Sequence, residues 1–366
     1  MIRYVVTTAG GLGNQMMNYA LYKLYKSKGK KVVLYPIQLN LQDHNGYELN
    51  RVFKNAEKPS EYSWLYEAVN NIGLKLHRIC LFVSKKIGIK PFNIQQTGII
   101  RIMNFPLAPS YDFTKIREEL LHCFEYPELK DERNKDIRLL MQSSESVSIH
   151  VRRGDYQNND YWRTALGDIC DKAYFDEAIQ TIKRKFSNPT FFVFSDDMEW
   201  VRANFSLPNV YYIDWNKKEN SYMDMQLMSY CKCNIIVNST FSLMAAWTNR
   251  NNDYIVIAPK KWRNYPNDDT WKKYLSPKWI VIDNMRPHVL INFNGRLSDK
   301  DIKNIRMQSI SDFIVTSTSP VNTKDKRFRT IYDRKVPFIM ECDRATIGLF
   351  SDRQYLKNWL ISNYKR

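Results

Sequence analysis

Along the first 36 residues the apolar positions change period twice. Tyr4–Thr8 is a β-branched and aromatic run, Gly10-Gly11-Leu12-Gly13 supplies a turn, and Asn14–Lys28 sets Met17, Leu21 and Leu24 on one face at helical spacing. Gly29 stops the helix and Lys31–Tyr35 (KVVLY) is a second short strand. The pattern predicts a β-turn-α-β unit, the usual first move of a parallel sheet.

From Trp64 to Val83, Leu65, Val69, Ile72, Leu76, Ile79 and Val83 recur at spacings of four and three. This predicts a helix packed on the core, with a basic membrane-surface helix as the alternative, and Gly73 weakens both. The charged, then polar, stretch from Glu125 to Ser146 marks a change of domain. Beyond it, strands are predicted at Val147–Val151, Thr190–Phe194, Val210–Ile213 and Ile235–Val237, alternating with helices at Tyr174–Phe186, Asp224–Tyr230 and Phe241–Asn249. That is a second alternating α/β series. After Asp283 the pattern breaks into a polar tail, Met285–Arg366, with 16 Lys and Arg against 8 Asp and Glu; near its end Tyr355, Trp359 and Leu360 fall on one helical face.

A chain of 366 residues suits two domains of about 100–200 residues. With 44% apolar and 14% aromatic residues, disorder is excluded for most of it. The net charge of +17 implies an anionic partner without choosing among nucleic acid, a phosphorylated small molecule and a membrane surface. Zinc-finger spacing, an RNP-like aromatic motif and a heptad-linked basic region are absent from the sequence, so nucleic acid is not the expected partner. The six cysteines are scattered and read as reduced thiols. The N-terminus fits neither a signal peptide nor an anchor, and no apolar stretch reaches the roughly 20 residues of a membrane span. A cytoplasmic location is expected, with peripheral contact at the inner membrane as a further possibility.

The glycine loop fails the dinucleotide fingerprint, because position 16 is Met and the second strand ends at Tyr35-Pro36 without an acid. It lacks the Gly-Lys-Ser/Thr of a Walker loop. What remains is a turn presenting Asn14, Gln15 and backbone N–H groups at a helix N-terminus, suited to an anionic or sugar ligand or simply to a tight turn. In SIHVRRGDY (Ser148–Tyr156), strand alternation puts Val147, Ile149 and Val151 on a core face and Ser148, His150 and Arg152 on the other. Arg153-Gly154-Asp155 then leaves the strand at its C-terminal end, where open α/β sheets place ligands. An arginine fork there suits phosphate, and a surface Arg–Asp pair is the plainer alternative.

FVFSDD (Phe192–Asp197) offers Ser195, Asp196 and Asp197 either to a guanine edge or as a helix N-cap. IIVNSTFS (Ile235–Ser242) brings Asn238, Ser239, Thr240, Phe241 and Ser242 to a strand-helix junction that suits phosphates. Its Asn-Ser-Thr sequon, directly after a buried strand, reads as coincidence. No metal site is expected: the D-x-D string Asp299-Lys300-Asp301, behind Ser298, reads as a helix cap and first turn.

GGLGNQMMNYA, SIHVRRGDY, FSDD and DMQLMSYCKCNIIVNSTFSLMAAW, in this order over about 240 residues, resemble glycosyltransferase family 11, the inverting α-1,2-fucosyltransferases that use GDP-fucose. The resemblance spans Met1–Asp283. It implies an α/β fold of two Rossmann-like domains facing across a cleft (GT-B-like): 1–146 on the acceptor side, 147–284 binding GDP-sugar, and 285–366 as a basic extension. It implies that Arg152 holds the β-phosphate with His150 and Arg153 in support. Asn238, Ser239, Thr240, Phe241 and Ser242 would line phosphates and ribose, with Ser195 and Asp196 or Asp197 at the guanine. Gly11, Gly13, Asn14 and Gln15 would face the donor from the first half, and Asp155 is the nearest carboxylate to serve as base.

The implied partners are GDP-fucose and an oligosaccharide or lipid-linked glycan acceptor, with no cofactor and no metal. Departures from the family pattern at Met16-Met17-Asn18, Cys233 and Leu243-Met244-Ala245 bear on acceptor choice. A fucosyltransferase of other linkage, another GDP-sugar transferase, and a basic nucleic-acid or membrane-surface binding protein are the rival readings.

Overall fold

The structure is a computed structural model that describes residues 3–37, 45–59, 72, 75, 79, 100–103, 113–265, 268–308, 310, 312–319, 321, 323, 325, 327–329 and 336–363. It is an α/β fold with parallel sheets. The opening unit forms as its pattern requires: β1 (Arg3–Thr8), a helix over Leu12–Ser27, and β2 (Lys31–Pro36). Gly29, at φ +67°, ends the helix in the left-handed conformation. β1 pairs in parallel with β2 from Arg3 opposite Lys31 to Thr8 opposite Pro36, and with β3 (Ile100–Met103) from Arg3 opposite Ile100 to Val6 opposite Met103. Of the Trp64–Val83 stripe only positions 72, 75 and 79 lie within the described residues. They are helical, and Ile72 and Ile79 are 58% and 59% exposed, so these two isoleucines are not core.

A six-stranded sheet has the order β6-β5-β4-β7-β8-β9. Its strands are β4 (Glu145–Val151), β5 (Pro189–Ser195), β6 (Val210–Ile213), β7 (Cys233–Ile235), β8 (Ile255–Pro259) and β9 (Ile280–Ile282). In chain order this is 3-2-1-4-5-6, and the direction of winding reverses between β4 and β7. The Glu125–Ser146 stretch, read from its polarity as a domain junction, contains a helix at Glu132–Ser143 capped by Asp131. Alternation in β4 does not separate a core face from an open one. Ser148 is 1% and His150 6% exposed, because elements cover both faces of a central parallel strand.

Met285–Arg366 is not the patternless tail its composition suggested. It forms β10 (Val289–Phe293), β11 (Phe313–Ser317), β12 (Phe328–Arg329) and β13 (Phe338–Cys342), all parallel, in the order β12-β11-β10-β13. Val289, Ile291, Phe313, Val315 and Met340 share one apolar cluster with Leu356 and Leu360 of a helix over Tyr355–Asn363, against which Tyr355 and Trp359 also pack. Its strands are only two to five residues long and its surface is basic, so charge outweighs periodicity in any window long enough to average. Ser298 and Asp301 form a reciprocal capping box on the helix Asp299–Arg306, as the D-x-D string suggested.

By Cα proximity the chain divides into two units, Met1–Ser148 with Ile213–Asn234 and Ser239–Tyr254, and Ile149–Tyr212 with Ile235–Asn238 and Ile255–Arg366. Within the first, the helix Leu12–Ser27 packs on the helix Thr240–Trp247. A Cβ on Gly13 would lie 2.6 Å from the Thr240 carbonyl carbon and 2.7 Å from the Phe241 nitrogen, so this glycine is required by backbone approach.

Candidate active site

The second unit holds the arginine motif. β4 ends at Val151, and Arg152 emerges at the strand's C-terminal end beside the winding reversal. Its Nη2 lies 2.8 Å from Asp155 Oδ1 and its Nη1 3.0 Å from Asp196 Oδ2. Its guanidinium also lies over the Tyr156 ring, 5.7 Å from the centroid. Arg153 is held separately: Nε donates to Asp197 Oδ2 at 2.9 Å, and its guanidinium sits 4.3 Å from the Trp200 ring centroid. The Arg153 backbone N–H donates to Asp196 Oδ1 at 2.8 Å. Gly154 makes room for that carboxylate, because a Cβ there would come within 2.6 Å of Asp196 Oδ2.

Two guanidinium groups therefore face three carboxylates, Asp155, Asp196 and Asp197. Burial pushes the His150 imidazole down to about 4; Arg152 adds to the shift and Asp196 opposes it. At neutral pH this histidine is uncharged, leaving the arginines as the cations of the motif. Although burial disfavours its charge, Asp196 and Asp155 hold the Arg152 guanidinium more firmly protonated than usual. The two ion pairs hold the Arg152 guanidinium between Asp155 and Asp196.

The acids read as guanine ligands are thus engaged by arginines. Asp197 is also the N-cap its position suggested, accepting from Trp200 N at 3.0 Å, while Ser195 Oγ accepts from Asp197 N at 2.9 Å. Asn238 is 6% exposed, and its amide donates to the carbonyls of Leu166 and Trp262 at 3.0 and 3.3 Å. These bonds leave the sequon no accessible amide. The Asn238 carbonyl accepts from Tyr156 Oη at 3.2 Å, which links the arginine motif to the segment after β7.

In the first unit, Ser239 caps the helix Thr240–Trp247, its Oγ accepting from Phe241 N at 3.3 Å. Thr240 Oγ1 donates to Asn14 Oδ1 at 2.8 Å, joining the glycine loop to the Ser-Thr segment. Gly11 is the N-cap residue of the first helix. Gln15 is placed differently from its expected donor-facing position. It is 0% exposed, with Nε2 donating to the Gly10 and Gly46 carbonyls, both at 2.9 Å, and Oε1 accepting from Glu48 N and Leu49 N. Ser242 is likewise fully buried, donating to the Ser239 carbonyl at 3.4 Å. Gln15 serves the loop's shape: a buried amide with four backbone partners is held in place.

Sequence reasoning assigned no role to three further residues, Tyr156, Trp200 and Asp224. Tyr156, the last residue of SIHVRRGDY, and Trp200, three residues beyond FSDD, lie under the two guanidinium groups. Asp224, the first residue of the fourth motif, lies inside a helix over Tyr222–Met228. Burial pushes its carboxyl up to about 7, against the hydrogen bond from Asn216 Nδ2 at 2.8 Å. The folded chain thus binds a proton more tightly than the unfolded chain, whose carboxyl titrates near 3.8, and stability falls as pH rises through that window. Asp224→Asn is expected to raise the melting temperature at pH 8, with the gain shrinking towards pH 4; calorimetric scans at both pH values check this, and an equal effect at both would reject it. Among the described residues no cluster of three or more His, Cys, Asp and Glu could hold a metal, and no helix is long and apolar enough to cross a membrane.

Residues 113–283 match the family profile described as Glycosyl transferase family 11. An α-1,2-colitosyltransferase from Escherichia coli is 31% identical over 278 residues, covering 70% of this chain and 91% of the relative. The O-antigen biosynthesis glycosyltransferase WbnK of the same organism is 29% identical, covering 69% and 93%. A galactoside α-(1,2)-fucosyltransferase 2 from Pongo pygmaeus is 25% identical, covering 67% and 68%. Among solved structures, the NodZ α-1,6-fucosyltransferase soaked with GDP-fucose is 13% identical, covers 68% of this chain and 93% of its own, and has a TM-score of 0.36.

Proposed function

The chain belongs to glycosyltransferase family 11, and from that premise we propose that it moves L-fucose from GDP-fucose to a sugar hydroxyl, forming an α-1,2 linkage to galactose with inversion, in surface glycan synthesis. The observation that carries the reading is Arg152, at the end of β4 and oriented by Asp155 and Asp196. Cleaving the glycosidic C–O bond builds negative charge on the departing diphosphate, and a guanidinium already fixed where that charge develops lowers the barrier without reorganising. Arg152 supplies that charge in place of a divalent ion, with Arg153 beside it. The acceptor hydroxyl attacks from the opposite face, so the β-linked donor gives an α-fucoside. Asp155 is the nearest carboxylate to serve as base, taking the proton on the oxygen that Arg152 does not hold.

A second reading keeps the linkage and changes the sugar, because the relative at 31% identity is named for colitose. Calorimetry with GDP, GDP-fucose, GDP-colitose and GDP-mannose, followed by NMR of the product formed on lactose, tests both. Binding of GDP with an α-anomeric fucosyl signal is the expected result. Absence of GDP binding, with salt-sensitive binding of nucleic acid that GDP does not compete, would overturn the proposal in favour of a polyanion-binding protein.

A further inference from the structure

Six residues beyond Asp155, a short helix over Asp160–Leu166 exposes two consecutive aromatic side chains, Tyr161 at 65% and Trp162 at 42%. Their rings meet edge to face at a centroid distance of 4.9 Å. Exposed aromatic pairs are costly to leave in water and mark contact surfaces when they are held rigidly. These are held. Asn159 Oδ1 accepts from the backbone nitrogens of both Tyr161 and Trp162, at 3.0 and 3.1 Å.

The rest of the helix is anchored from behind. Asn264 binds the Ala165 and Gly167 carbonyls, Asn238 binds the Leu166 carbonyl, and Arg163 lies over the Phe338 ring of β13 at 5.7 Å. The C-terminal helix Tyr355–Asn363 packs against it as well. The extension that composition presented as a basic tail is a buttress for this helix. Gly167 closes the arrangement: a Cβ there would meet the Tyr156 carbonyl oxygen at 2.6 Å, so the helix can end under the arginine motif only with glycine at that position.

We propose that Tyr161 and Trp162 form the platform on which the acceptor glycan stacks its second sugar ring, and so set acceptor choice. The proposal rests on the glycosyltransferase reading. A pyranose has one C–H face that packs on an aromatic ring and a rim of hydroxyls that seek polar partners. The patch has the same two characters, since Asn158, Asn159 and Asp160 are exposed beside the rings. Two rings among three polar neighbours are too small and too polar for a protein interface, and Asp160 opposes an anionic lipid surface. The chain itself limits the distance: Tyr161 and Trp162 follow Asp155 by six and seven residues, which span at most about 25 Å between Cα atoms, so the rings lie within oligosaccharide reach of Asp155.

The test uses the full chain with methyl β-galactoside and lactose as acceptors. Trp162→Ala and Tyr161→Ala are each expected to raise the KM for lactose about tenfold and to change that for methyl β-galactoside less than twofold, with Trp162→Phe restoring most of the affinity. Saturation-transfer NMR with GDP present is expected to show lactose bound to the wild type and to neither alanine variant. Equal KM changes for the two acceptors, or none, would overturn the platform while leaving the transferase reading intact. Absence of fucosyl transfer by the wild type, with lactose binding abolished in the alanine variants, would overturn the transferase reading and keep the platform.

Discussion

Arg152→Ala is expected to lower kcat by about 10²–10³-fold, the usual consequence of removing one preorganised donor from a developing oxyanion. Arg153 cannot substitute, because Asp197 and the Trp200 ring hold it in a separate position. Arg152→Lys is expected to recover little, since an ammonium is a point charge and cannot present the fork that Asp155 and Asp196 fix at 2.8 and 3.0 Å. The fold should survive. The Arg152 side chain is 31% exposed, and ion pairs open to solvent contribute within about 1 kcal/mol. Single-turnover rates at saturating donor, set beside melting temperatures, separate the two effects. Wild-type turnover by the alanine variant would remove Arg152 from the mechanism.

The largest expected effect on stability lies away from that site. Lys261 Nζ and Asp312 Oδ2 are 2.7 Å apart with side-chain exposures of 4% and 6%, and Asp312 also accepts from His288 N at 3.0 Å. Burial drives the Lys261 ammonium down and the Asp312 carboxyl up, so each charge persists by virtue of the other. Asp312→Ala leaves a buried ammonium whose hydrogen bond to the Arg286 carbonyl does not neutralise it, and should cost about 3–5 kcal/mol. Lys261→Met combined with Asp312→Leu should cost far less, since removing both charges leaves none uncompensated. Urea unfolding of both variants, with hydrogen exchange followed through 285–363, distinguishes them. An unchanged midpoint for Asp312→Ala would show that the pair does not hold the C-terminal sheet. The same ion pair makes Met285–Arg366 part of the fold, so its deletion is expected to unfold the chain rather than to report on a separable tail.

Apolar runs bounded by turn residues were legible in the sequence. β1, the first helix, β2 and β4–β6 follow their runs to within a few residues, because apolar spacing fixes which backbone period can bury a face. The family was legible too, since its four motifs keep their order regardless of packing. The C-terminal sheet was hidden because strands of two to five residues give too few alternations to stand out against 16 basic side chains.

The sequence by itself determined the α/β class, the family and the arginine motif, all of which depend on residues close together in the chain. Tertiary structure decided what each polar side chain faces. Asp196 lies 44 residues from Arg152, Thr240 lies 226 from Asn14, and Gln15 turned inward to four backbone groups rather than outward to a ligand. A carboxylate reads alike in the chain whether it will cap a helix, pair with a guanidinium or sit buried near pH 7. Its partners arrive from distant strands, and their desolvation and hydrogen bonds set its charge.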